Sequence, residues 1–311
     1  MLVRAPAHSA AVMLLLGGPA LLAGCATRTA SGRTAGVAAA AASVSGRPVA
    51  VGEGFSEPEA VRYDPDQDVY FVSNFNGSGS ALDNNGFISR MRPDGTIDRL
   101  RFVAGGAGGV TLHAPRGMAI VGDTLWAADV DAVRGFDRRS GAPVASVDFS
   151  SADVGFLNDV APGPDGAIYV TDTGRNRIYR IDGRAVSVAV TDSALGGPNG
   201  ITWDAGNSRF LVVPYGGAHV IRSWRPGSAA LDAAGTSPGA QFDGVEVLPG
   251  GRLLVASQAD SSLHLFAGAA GRPLMRLPGE PADIGVDTRR NRVAVPYIAL
   301  DRVEIWQLPP E

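Results

Sequence analysis

The chain contains no lysine: all 27 of its basic residues are arginines, set against 31 acids for a net charge of −4. With abundant Ala, Gly and Pro, this marks a GC-rich coding origin and carries no mechanism. No stretch concentrates the arginines, so the positive footprint that nucleic-acid binding requires is missing. A single cysteine, Cys25, excludes an internal disulfide. Without CxxC, CxxCH or a paired Cys/His set, structural zinc, haem attachment and thioredoxin-like chemistry are unsupported. There is no GxSxG, so His113, His219 and His264 have no nucleophile elbow to serve. Of these, His264 lies in an alternating strand and reads as a surface or packing residue. The apolar segment from Ala10 to Ala23 is interrupted by Gly17-Gly18-Pro19 and is too short and broken to span a bilayer.

What is present is a repeat. Leu157 to Asp182 reads as three short strands and two turns. Pro164-Asp165-Gly166 turns because Pro fixes φ, Asp bonds its own backbone and Gly accepts positive φ. Ala167 to Thr171 is an apolar strand, and Arg177 to Ile181 alternates charged and apolar residues. The middle strand returns at Val69–Val72, Leu125–Ala128, Phe210–Val213, Leu253–Ala256 and Val293–Val295, each with a partner downstream. Repeats of roughly 40–45 residues with four strands each are the signature of propeller blades. Six copies predict an all-β six-bladed propeller of four-stranded antiparallel blades. Residues 48–311 supply 264 positions for it, where seven blades would need roughly 294. The last blade shows only three strands, so the stray strand at Pro48–Val51 is expected to pair with it and close the ring.

Ahead of the repeat, Met1-Leu2-Val3-Arg4 and the apolar segment form a signal peptide over residues 1–24. Leu22-Ala23-Gly24-Cys25 resembles the bacterial lipobox, in which the cysteine thiol is acylated before cleavage; the alternative is a signal peptide that contains a cysteine and is cut nearby. The expectation is export and lipid anchoring at Cys25 to a bacterial envelope membrane, the added chains giving a stable hold. Residues 25–47, rich in Ala, Thr, Ser and Gly, read as a disordered tether reaching about 25 Å.

Two features point to a site. The long polar loop from Asn74 to Gly86 is expected to hang over one mouth of the central channel, although a tolerated surface insertion explains it nearly as well. The starts of the innermost strands place Glu59, Arg116, Asn158, Asn199, Asp243 and Asp283 in register. Carboxylates meeting near an axis repel unless a cation lies between them. Glu59, Asn158, Asn199 and Asp243 offer only oxygen, which suits Ca²⁺ or Mg²⁺ better than zinc. The competing explanation is that these residues cap strand starts. Asp283 and Arg116 are expected beside the metal and paired with each other. His219, close to Tyr215-Gly216-Gly217, is placed to reach the mouth, so Tyr215 and His219 join Arg116 as substrate-binding candidates.

The chain resembles the gluconolactonase and regucalcin (senescence marker protein) family of six-bladed propellers. The resemblance runs from about Phe55 to Trp306 and rests on Glu-Pro-Glu59-Ala-Val, Leu-Asn158-Asp-Val, Pro-Asn199-Gly-Ile-Thr-Trp and Phe-Asp243-Gly-Val. It implies a central divalent cation, foremost Ca²⁺ with Mg²⁺ or Zn²⁺ left open, held by Glu59, Asn158, Asn199 and Asp243. It further implies hydrolysis of a lactone or related ester, with Asp243 as base. On that reading Arg116 is expected to orient an anionic or hydroxylated small-molecule substrate, and the protein is expected to be a monomer. The family's substrate-gripping groups have no individual match here. The blade-three piece Asp172-Thr173-Gly174-Arg175-Asn176-Arg177-Ile178 is similar to repeats of non-catalytic propellers. A binding scaffold for a protein or glycan is therefore the second reading.

Overall fold

Middle strands such as Val69–Asn74 and Leu253–Ser257 are buried along their whole length, because each sheet is apolar on both faces and needs a neighbour on either side. A repeat of this kind cannot bury itself alone, and a closed ring satisfies every copy at once. The computed structural model describes residues 46–310. Signal peptide, Cys25 and nearly all of the tether lie outside the described residues.

Each of six sheets has four antiparallel strands. The first comprises β2 (Pro58–Asp64), β3 (Val69–Asn74), β4 (Phe87–Met91) and β5 (Ile97–Ala104). The other blades are laid down in the same order. Their innermost strands are β6 (Met118–Val121), β10 (Leu157–Pro162), β14 (Pro198–Asp204), β18 (Phe242–Val247) and β22 (Gly285–Asp287). The sixth blade draws its outer strand from the N-terminal side: β1 (Ala50–Glu53) pairs with β24 (Arg302–Gln307), Val51 opposite Glu304. This strand begins two residues later than the sequence suggested. Among the described residues there is no α-helix, only four short 3₁₀ turns.

The core is correspondingly divided into six clusters between consecutive blades. Phe71, Phe102, Leu125 and Phe136 join the first blade to the second, and Tyr169, Phe210 and Trp224 join the third to the fourth. Tyr63, Tyr70, Met91 and Ile305 join the sixth to the first. Short polar residues fix the turns. Asp64 accepts from the amides of Asp66 and Gln67, and Asp287 from those of Arg289 and Arg290, so the acid ending an inner strand folds the hairpin that follows it.

One irregularity positions the site. In four blades the pairing of the inner strand with its neighbour slips, between Pro58 and Val61, Leu157 and Val160, Pro198 and Ile201, and Phe242 and Val245. The second and sixth blades pair without a slip. A bulge adds a residue to one strand and re-aims its side chains. The four slips contain Glu59, Asn158, Asn199 and Asp243.

Candidate functional site

The four bulges deliver those side chains to one cavity of about 650 Å³, which all four line. At Asn199 and Asp243 the backbones of neighbouring blades can approach because a glycine follows each. A β-carbon on Gly200 would run into the Asp243 carbonyl oxygen, and one on Gly244 would lie 2.6 Å from Asp283 Oδ1. The Asn-Gly and Asp-Gly pairs at these points are therefore close-approach positions between blades, not turns.

The orientation of each donor follows from its partners. Thr173 Oγ1 donates to the Pro198 carbonyl at 2.7 Å, so toward Asn158 it can only accept, and it takes the Asn158 Nδ2 proton at 3.0 Å. Asn158 Oδ1 is left buried without a partner. Gln258 Nε2 donates to Asp243 Oδ2 at 2.7 Å, and Tyr215 Oη donates to Gln258 Oε1 at 3.1 Å. Asp243 Oδ1 is unpaired, and so is Glu59 Oε2. Buried polar atoms nearly always find partners. Here three acceptor oxygens from three blades, each buried and unpaired, belong to side chains lining the same space.

The electrostatics agree. Burial pushes the Asp243 carboxyl from its ordinary 3.8 up to about 7, with the Asp159 charge adding to the rise and hydrogen bonds from Gln258 and Asn199 offsetting part of it. Glu59 is raised well above the carboxylate range by burial first and by Asp243 second, while Arg116 opposes the shift. Farther along the inner strands a second group of acids has partners, although burial raises Glu246 and lifts Asp283 well above the carboxylate range. Arg62 bonds the Met118 carbonyl at 2.7 Å, pairs with Glu246, and reaches Asp283 Oδ2 at 3.1 Å. Asp159 accepts from the amides of Val160 and Ile201 at 2.7 and 2.8 Å, yet burial still lifts it to about 6. Five acids thus face two guanidinium groups in the channel. The donor set of two carboxylates and two amides, with oxygens left unpaired, fits a hard divalent cation.

Asp283 does not pair with Arg116. Its partner is Arg62, because the sixth blade has no bulge to turn Asp283 toward the cavity. Arg116 donates to the carbonyls of Leu157 and Gly79, and its guanidinium lies 3.8 Å from the Phe156 ring centre. It supports the cavity wall from behind and is not among the lining residues. Tyr215 lines the cavity; His219 does not, and its Nδ1 is 2.6 Å from the Gly239 carbonyl oxygen. Of the 74–86 loop, Phe75 lines the cavity, and the Gly79 carbonyl accepts from Arg116.

The sequence reading missed the second ring of residues. Phe75, Thr173, Gln258 and Ile298, like Tyr215, which the sequence did single out, each follow the last residue of a middle strand, and all five line the cavity. The same repeat alignment, carried to the ends of the middle strands, would have found them. Two other clusters are not part of this site. Ser237, His264 and Asp260 form a hydrogen-bonded series, His264 Nε2 to Asp260 Oδ2 at 3.0 Å, but His264 is wholly buried and none of the three lines the cavity. His113, Asp129 and Asp131 lie close enough to share an ion. Arg134 already fills that role, with Nε 2.6 Å from Asp129 and Nη2 2.7 Å from Asp131, and His113 Nδ1 accepts from the Asn84 amide.

No family model and no curated protein matches the sequence. Solved structures do. A gluconolactonase from Xanthomonas campestris is 19% identical with a TM-score of 0.63, over 83% of this chain and 88% of that one. A catalytically inactive histidine-to-alanine variant of virginiamycin B lyase from Staphylococcus aureus, bound to quinupristin, is 14% identical with a TM-score of 0.57, over 83% and 99%. A streptogramin B lyase is 11% identical with a TM-score of 0.59, over 82% and 96%. At these identities the likeness establishes the architecture: this chain folds as a propeller of the kind found in gluconolactonases and streptogramin B lyases.

Proposed function

We propose that the chain is a divalent-cation-dependent hydrolase of a lactone or related ester. The observation that carries the proposal is the set of three unpaired buried oxygens, Glu59 Oε2, Asn158 Oδ1 and Asp243 Oδ1, on side chains lining one cavity. Glu59, Asn158, Asn199 and Asp243 would hold the cation, Ca²⁺ in the first instance. A cation bound there supplies a Lewis acid for the substrate carbonyl oxygen.

The chain's own residues do the rest. Asp243 is held by Gln258 through Oδ2, which leaves Oδ1 to accept a proton from water. As the water oxygen joins the carbonyl carbon, its proton passes to Asp243; as the ring C–O bond breaks, the departing oxygen takes that proton and a hydroxy acid leaves. The hydrolase reading is favoured over the lyase one by the histidines: His113, His219 and His264 all lie outside the cavity lining, and the lyase variant that lacks a histidine is described as inactive.

Export and anchoring through an acylated Cys25 are part of the proposal, placing the propeller on a tether at a bacterial envelope membrane. The deciding experiment measures hydrolysis of a lactone and aryl-ester panel with and without chelator. Chelator-sensitive turnover that disappears in a folded Asp243→Asn variant supports the proposal. Absence of turnover across the panel, with Ca²⁺ present, leaves the binding scaffold.

A further inference from the structure

The cavity walls say more about the substrate than the ligand set does. Phe75 and Phe156 form one side, and Tyr297, Ile298 and Leu300 form another. Leu300 is 40% exposed and Tyr215 37% exposed at the rim, so apolar surface continues to the opening. The polar groups among these walls are already committed. Thr173 serves Pro198 and Asn158, Gln258 serves Asp243 and Tyr215, and the Tyr297 hydroxyl donates to Glu304 at 3.0 Å. Arg116 has its terminal nitrogens on Leu157 and Gly79 behind Phe156. Beyond the cation ligands, the remaining charged lining residue is Glu280, which repels anions.

A polyhydroxylated ring placed here would press its hydroxyls against phenyl and aliphatic walls with few free groups to bond them. Each hydroxyl desolvated in that way weakens binding. A cavity of about 650 Å³ also has room well beyond a lone lactone ring, within the range of sites that enclose drug-sized ligands.

We propose that the substrate is a neutral lactone or ester bearing an apolar alkyl or aryl substituent, its carbonyl at the Glu59–Asp243 end and its substituent along Phe156 and Leu300. This rests on the hydrolase reading, so the test has one arm that needs no turnover. In the first arm, γ-lactams with alkyl chains of two to eight carbons, unreactive isosteres of the lactones, are titrated into the Ca²⁺-loaded full chain by calorimetry. In the second, hydrolysis is compared across γ-lactones of the same chain lengths and a sugar lactone.

The expected result is affinity and kcat/KM rising together, roughly two- to fourfold per buried methylene, with the sugar lactone poorest. Leu300→Ser and Phe156→Ser should flatten both slopes and leave the Ca²⁺-induced thermal shift in place. Chain-length-dependent lactam binding without hydrolysis of any lactone overturns the hydrolase reading and keeps the apolar ligand class. Flat slopes, or preference for the sugar lactone, overturn the ligand class.

Discussion

Replacing Asp243 by asparagine should make the cation-free protein more stable while removing its response to Ca²⁺. In the folded chain burial raises this carboxyl from 3.8 to about 7. At 1.36 kcal/mol per unit, that shift bounds the destabilisation by the ionised group above pH 7 at about 4 kcal/mol. An asparagine amide still accepts from Gln258 through its oxygen, but it too is a polar group taken from water. Roughly half of the bound, about 2 kcal/mol, is the expected gain, which for a domain of this size raises the melting temperature by about 4–8 °C.

The pH dependence follows from the same shift. The carboxyl binds its proton more tightly in the fold than in the open chain, so stability is fully present below about 4 and is lost as pH rises through about 7. Cation-free wild type should therefore melt lower at pH 8 than at pH 5.5, and the variant should show a smaller difference. Ca²⁺ at a hundredfold excess over its dissociation constant should restore about 2.7 kcal/mol to the wild type and little to the variant. Scanning calorimetry in chelator and in Ca²⁺, at both pH values, reads all of this. An Asp243→Asn protein that melts below wild type in chelator at pH 8, or that keeps the full Ca²⁺ shift, refutes the argument that an uncompensated carboxylate is waiting for a cation.

Thr173→Val removes the acceptor that fixes the Asn158 amide, so Asn158 loses its enforced orientation and Ca²⁺ affinity should fall by roughly tenfold, as for other residues that orient metal ligands; unchanged affinity by calorimetry would contradict the assignment. Arg62→Met leaves buried Asp283 and half-buried Glu246 without their cation and should cost about 3 kcal/mol. Its melting point, measured in low and high salt, should drop in both, and a variant as stable as wild type would remove Arg62 from the role given it here. Cys25→Ala should move the protein from the membrane to the soluble fraction or leave it unprocessed; wild-type protein found wholly in the soluble fraction would end the lipoprotein proposal.

The blade count and the height of each site residue along the channel were legible because a propeller repeats one solution six times. Strand ends such as Pro58-Glu59 and Pro198-Asn199 occupy equivalent places in successive blades, so alignment alone brings them to one end of the ring. Alignment carries no information on side-chain direction. Six polar residues share the register, and the structure sends four into the cavity, Asp283 to Arg62, and Arg116 to carbonyls behind the wall.

What separates these groups is the bulge, and its cause is long-range. Inner strands of neighbouring blades are tied by backbone hydrogen bonds at a few close points. The Gly117 amide donates to the Asn158 carbonyl at 3.0 Å, and the Asp283 amide donates to the Glu59 carbonyl at 2.9 Å. Asp159, one residue past the bulged Asn158, turns its carboxylate to the Ile201 amide of the next blade. In the sixth blade the inner strand is only three residues long and begins at Gly285, after Asp283. Asp283 is instead tied by its backbone to Glu59 and Val61 of the first blade, across the junction where the ring meets itself. Its direction is set by contacts more than two hundred residues away in sequence, and the salt bridge to Arg62 follows from that tie. A local motif can name the residues of such a ring, but which of them face the cavity is decided where one blade touches the next.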